Sequence, residues 1–245
     1  MAGLAGAVVG DAIITFSWML ASSLVGLGAV TLAPHLPFIE PYSTFTVAMT
    51  ILCALLLLFE PIAGALGGAS FNPAANLTFL TAGVGDESSL KLATRLPAQV
   101  VGAATGALAL VYLYPEVFHK IVLKGPGLQP GITVMEGAIA EGVVSFVINL
   151  IVLWSMFTPP WKGLAGMFKH SLPLTATVAL IAAAASYTGP AMNPVTAFGF
   201  AYLEKRHQTY EHFVVYWATP LAGAVLAAIV FRIFLKPQKE KVKKS

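Results

Sequence analysis

The chain predicts an all-α membrane protein: six transmembrane helices plus two re-entrant half-helices, arranged as an inverted repeat. Three observations predict it. Of its 245 residues, 57% are apolar and only 10% charged, whereas a soluble domain carries about 25% charge. Several apolar stretches reach the ~20 residues that a helix needs to cross a bilayer. And a short box, Asn72-Pro73-Ala74, returns 121 residues later as Asn193-Pro194-Val195.

Each box carries a helix-start signal. Asn caps a helix by accepting from a backbone N–H one turn on, and Pro is tolerated at the first helical position because its missing N–H would be unpaired there anyway. Only about two turns of mostly apolar residues follow each box, so each predicts a half-helix.

In chain order, Gly6 to Val30 reads as the first span, with Asp11 and Thr15 inside it. A carboxylate at membrane depth needs a partner, and Asp11 is expected to brace irregular backbone elsewhere in the bundle. The proline-rich segment Thr31 to Ser43 reads as a loop. Span two covers Thr44 to Ala63 and leads through a Gly-rich run into the first box. Span three, Leu90 to Leu113, offers Ala98-Gln99-Val100-Val101-Gly102 and Gly106 as a small-residue packing face. Tyr114 to Gly131, rich in Pro and Gly, reads as the connector between halves. Span four (Ile132 to Phe157) holds Glu136 and Glu141, span five covers His170 to Tyr187, and the second box follows. Span six runs from Phe213 to Leu235.

The halves answer one another. Asp11-xxx-Thr15-Phe16 matches Glu141-xxx-Ser145-Phe146, and Gln99-Val-Val-Gly102 matches Pro220-Leu-Ala-Gly223. Three spans per half is an odd number, so the two copies enter the membrane from opposite faces. Interrupted segments at matching positions then point to a site near the midplane. The reading is one transmembrane domain over residues 1–235, with repeats of about 1–115 and 132–235, and a basic tail at 236–245.

Charge orients the chain. Lys91, Arg95, Lys162, Lys169, Arg232 and the five tail lysines fall on the face of the termini; Lys120, Lys124, Lys205 and Arg206 fall on the other. By the positive-inside rule both termini are cytosolic. The net charge of +3 is concentrated in the tail, which fits anionic lipid rather than nucleic acid. A single cysteine, Cys53, excludes an intrachain disulfide framework and a multi-cysteine metal site. No phosphate loop, nucleophile elbow or metal-ligand spacing occurs. No enzyme, cofactor or metal is expected.

If the half-helices enter from opposite faces, their N-termini meet near the bilayer centre, each carrying roughly half a positive charge. Asn72 and Asn193 then offer amide N–H donors to a narrow passage, and protons and cations meet a positive focus.

GGASFNPAANL and TGPAMNPVTAFG resemble the two signature boxes of the major intrinsic proteins, the aquaporin family, and the acidic-xxx-Thr/Ser pattern, Gln99 and Pro220 fit as well. The resemblance covers about Gly6 to Leu235. It implies an aquaporin-like fold, a homotetramer with one pore per subunit, and passive flow of water or small neutral solutes. It also implies a selectivity filter at Leu52, Ile181, Pro190 and Thr196, where Thr196 stands in the position most members fill with Arg. A filter without a cation or the usual His implies weaker water selectivity, with hydrogen peroxide as one candidate. Val195 departs from the usual Ala and is expected to press on the opposing box. The short N-terminus, basic tail and Pro190 resemble the plant small basic intrinsic proteins, a subclass of the endoplasmic reticulum. Lys241 and Lys243 fit a K-x-K-x-x retrieval signal. Two rival readings are a secondary transporter, which would need coupling-ion ligands at the midplane, and a non-conducting membrane organiser.

Overall fold

The computed structural model describes residues 3–37, 40, 42–158 and 164–235. Helix α1 (Leu4–Leu32) is followed by α2 (Ser43–Ala65), the half-helix α3 (Pro73–Ala82), α4 (Ser89–Leu113), a short α5 (Glu116–Val122), α6 (Val134–Phe157), α7 (Leu164–Ala184) and the second half-helix α8 (Pro194–Tyr202). The last span starts as α9 (Tyr210–Phe213), passes through a π-helical turn at Val214–Ala218, continues as α10 (Thr219–Val230) and ends in a second π-helical turn, Phe231–Leu235. Among the described residues five spans are long and apolar enough to cross a bilayer; α7, of 21 residues, is the sixth.

The expected elements are present, with differences that have physical causes. Helix α2 carries Pro61 inside it and ends at Ala65, just past the expected Ala63. Membrane helices tolerate an internal proline because neighbouring groups satisfy the freed carbonyl. The mid-chain connector contains α5, where Pro115 occupies the N-cap and Glu116 the first turn, a helix start that its proline content masks. The π-helical turn in the last span stands just before Pro220. Pro220 lacks the N–H that would continue the ladder, and Thr219 Oγ1 bonds back to the carbonyls of Val214 (3.1 Å) and Val215 (3.2 Å).

Two close helix pairs form the frame. Helix α1 packs on α4, and α6 packs on α10. Both contacts depend on a glycine: a Cβ on Gly102 would sit 2.5 Å from the Ala12 carbonyl oxygen, and one on Gly223 would sit 2.3 Å from that of Gly142. The half-helices cross over between these pairs. Helix α3 packs against α10, and α8 packs against α4, so each is held by the last span of the opposite half.

Candidate functional site

The two boxes meet. Asn72 caps α3, its side-chain oxygen accepting from Ala74 N at 3.0 Å. Asn193 caps α8 in the same way, accepting from Val195 N (3.1 Å) and Thr196 N (3.3 Å). The amide nitrogens reach across. Asn72 Nδ2 donates to the Met192 carbonyl at 3.0 Å, and Asn193 Nδ2 donates to the Phe71 carbonyl at 2.8 Å. Each Asn thus laces its own helix N-terminus to the residue just before the other box. One hydrogen of each NH₂ is taken by this bond, and one remains. Met192 is held at φ +48°, a left-handed conformation rare outside glycine.

Below each box lies a fully buried carboxylate. Asp11 accepts from Ser70 N at 2.7 Å, and from Arg95 Nε at 2.8 Å and Nη2 at 2.9 Å. Gln99 Nε2 adds a fourth bond to Asp11 at 2.7 Å and also reaches Asn76. Arg95 further donates to Gly68 O (2.9 Å) and pairs with Glu87. In the second half Glu141 accepts from Ala191 N (2.9 Å), Met192 N (3.2 Å) and Thr188 Oγ1 (3.0 Å). No cation among the described residues bridges it. Tyr216 stands where Arg95 stands in the first half, and its hydroxyl donates to Thr188 O at 3.3 Å. Beside the first box a cavity of about 390 Å³ opens, lined by Gly68, Ser70, Glu87, Lys91 and Arg95 among others.

The remaining sequence-derived positions fall around the boxes. Leu52 packs in an aromatic cluster with Trp18, Phe59 and Phe71. Ile181 packs with Met192, Val144 and Ile148. Pro190 is buried between Thr188 and Ala191. Thr196 is half-buried and accepts from the Trp18 indole, Nε1 to Oγ1 at 3.0 Å. The structure therefore links Leu52 and Thr196 through one residue, Trp18, and seats Ile181 beside the second box. Ala74 and Val195, the third members of the boxes, are both fully buried. Val195 packs with Met19, Ala103, Ala107 and Phe200, where the two alanines leave room for its methyls. Lys241 and Lys243 lie outside the described residues.

Residues 3–231 match the sequence model of the family described as Major intrinsic protein. The chain belongs to the major intrinsic protein family. Like other members of this family, it is a multi-pass membrane channel protein and not an enzyme. It is similar to Aquaporin SIP1-1 of Oryza sativa subsp. japonica, with 42% identity over 97% of this chain and 96% of that protein. It is also similar to Aquaporin SIP1-1 of Arabidopsis thaliana, with 39% identity over the whole of both chains. These relatives agree with the small basic intrinsic subclass. Among solved structures, the aquaglyceroporin from Plasmodium falciparum superposes with a TM-score of 0.67 over 95% of this chain and 97% of that one, at 17% identity. That likeness shows the major intrinsic fold.

Within this major intrinsic protein, two participants are not apparent from the sequence reading. Arg95 counts there as a charge on the cytosolic face, yet it is 5% exposed and turned onto Asp11. The available signal was its place inside an apolar span, where a charge must find a partner. Trp18 carries no such signal, because an aromatic in an apolar helix reads as core.

Proposed function

We propose that residues 1–235 form one channel domain of two inverted repeats, and that it conducts water and other small neutral solutes, hydrogen peroxide among them. Protons and ions are excluded by the paired N-termini of α3 and α8. The observation that carries this reading is the reciprocal pair of bonds, Asn72 to Met192 O and Asn193 to Phe71 O. It brings two helix N-termini head to head, where roughly half a positive charge each repels a cation. The second N–H of each Asn is then available to the oxygen of a passing molecule. A solute that can only accept there is held in one orientation, and a proton wire is interrupted.

Leu52, Ile181, Pro190 and Thr196 are the filter of this proposal. None of the four is charged, so a larger neutral solute meets less rejection than at a cationic constriction. The name of the Plasmodium falciparum neighbour, an aquaglyceroporin, makes glycerol a reasonable probe. The proposal includes a homotetramer surrounded by membrane lipid, both termini in the cytosol, and residence in the endoplasmic reticulum.

Purified protein in proteoliposomes, mixed rapidly with osmotic gradients and read by light scattering, tests the reading. Water, glycerol and hydrogen peroxide are compared, with and without an imposed sodium or proton gradient. Flux of at least one solute well above lipid alone, indifferent to the ion gradient, is expected. Flux that follows the gradient would instead mark a secondary transporter, and lipid-level flux of all three would mark a non-conducting protein.

A further inference from the structure

Trp18 touches both boxes at once. Its ring stacks on Phe71, the residue before Asn72, with centroids 4.6 Å apart and planes at 22°. Phe59 meets it edge-on at 5.1 Å. Its single N–H donates to Thr196 Oγ1 at 3.0 Å, across 178 residues of sequence. At 6% exposure Trp18 itself offers little surface to a solute. Thr196 is half-buried and sits in the first turn of α8.

The hydrogen-bond arithmetic at Thr196 is restrictive. A hydroxyl has one proton and two lone pairs, and an indole has one proton and none. Trp18 fixes one lone pair of Thr196. A helical threonine ordinarily turns its own proton to a carbonyl three or four residues back. Here Thr196 makes neither bond: Met192 O accepts from Asn72 Nδ2 and Asn193 O from Ala197 N. Among the described residues no acceptor receives the Thr196 proton.

We propose that Trp18 is a positioning residue for selectivity: it pins the Thr196 oxygen so that the hydroxyl proton is presented to the passage as one fixed, neutral donor. The solute class this favours is a small uncharged molecule with an acceptor oxygen. The inference rests on the channel function proposed above.

The test uses the full chain in proteoliposomes, with Thr196→Val, Thr196→Ser, Trp18→Phe and the Trp18→Phe/Thr196→Val double variant. Thr196→Val keeps the shape and deletes the hydroxyl. It should reduce the permeability of the best-conducted of water, glycerol and peroxide by about three- to tenfold, the factor carried by one lost hydrogen bond. Thr196→Ser should conduct within about twofold of the parent, since the donor is kept. Trp18→Phe should fall like Thr196→Val, and the double variant no further. Unchanged flux in Thr196→Val, or reductions that multiply in the double variant, would overturn the proposal.

An independent measurement follows the contact itself. In protein carrying ¹⁵N-labelled tryptophan in detergent micelles, the Trp18 indole resonance, assigned by its loss in Trp18→Phe, should move upfield in Thr196→Val and stay in place in Thr196→Ser. An indole signal indifferent to both substitutions overturns the pairing whatever the flux. If the parent protein conducts none of the three solutes, the channel reading falls and the selectivity role falls with it, while the indole signal still reports whether the pair exists.

Discussion

Asp11 and Glu141 sit under equivalent loops, but only Asp11 has a guanidinium beside it. The difference predicts unequal tolerance. Asp11→Asn leaves the buried Arg95 with Glu87 as its charged partner and turns an amide NH₂ toward the Ser70, Arg95 and Gln99 donors, so the cost approaches without exceeding the about 3–5 kcal/mol of a broken buried ion pair. Glu141→Gln keeps one oxygen for the Ala191 amide and the Thr188 hydroxyl, gives up the bond from the Met192 amide and strands no cation, so a loss nearer about 1–3 kcal/mol is expected. Thermal unfolding in detergent micelles should rank the parent above Glu141→Gln and Glu141→Gln above Asp11→Asn; the reverse order would contradict the assignment of Arg95 as the partner of Asp11. Both carboxylates were legible in the sequence, because an acidic residue inside an apolar span has to be explained. Their partners were not. Arg95 lies 84 residues from Asp11, and no local pattern links them. Val195 was legible as a departure from pattern but not in its effect, which depends on Ala103 and Ala107 being small.

At the level of elements, the half-helices were the clearest feature, since Asn-Pro sets the N-cap and first turn by local chemistry alone. What they pack against was not visible. That α3 rests on α10 and α8 on α4 is a consequence of the crossing of the two halves in space. The glycines at those frames were visible as a spaced pattern, and the structure gives them a stringent test. Gly223→Ala places a methyl 2.3 Å from a backbone oxygen of α6 that cannot turn away, and overpacking of this kind costs about 1–3 kcal/mol. Gly64→Ala is the control, because a Cβ there meets nothing within 4 Å and alanine is the better helix former by about 1 kcal/mol. Unfolding midpoints should fall for Gly223→Ala and hold or rise for Gly64→Ala. Equal midpoints for the two variants would count against the close α6–α10 contact. The π-helical turn before Pro220 belongs to the same scale: a proline in an apolar run marks a disturbance of the ladder, but not the kind of turn that absorbs it.

The whole molecule repeats its contacts across the two halves while varying the chemistry. Met19, against the backbone of Gly199, fills the place that in the other half is taken by the hydrogen bond from Thr78 Oγ1 to Asn149 Oδ1 at 2.9 Å. Repeated boxes made the architecture readable from one sequence, whereas such unlike pairs did not announce themselves. The tail operates at this scale too. Replacing Lys241 and Lys243 together by Ser should release a tagged protein from the endoplasmic reticulum, seen by fluorescence microscopy, and retention of the variant there would remove the retrieval signal from the account. Two half-helix N-termini forming a passage for neutral molecules that is closed to protons is the property on which the proposed function turns. It is tested most directly by following water and proton fluxes in the same proteoliposomes, one by light scattering and the other by an entrapped pH dye. Water movement above the lipid background with proton movement at that background is expected, whereas a proton leak that rises with protein content would contradict a proton-tight passage.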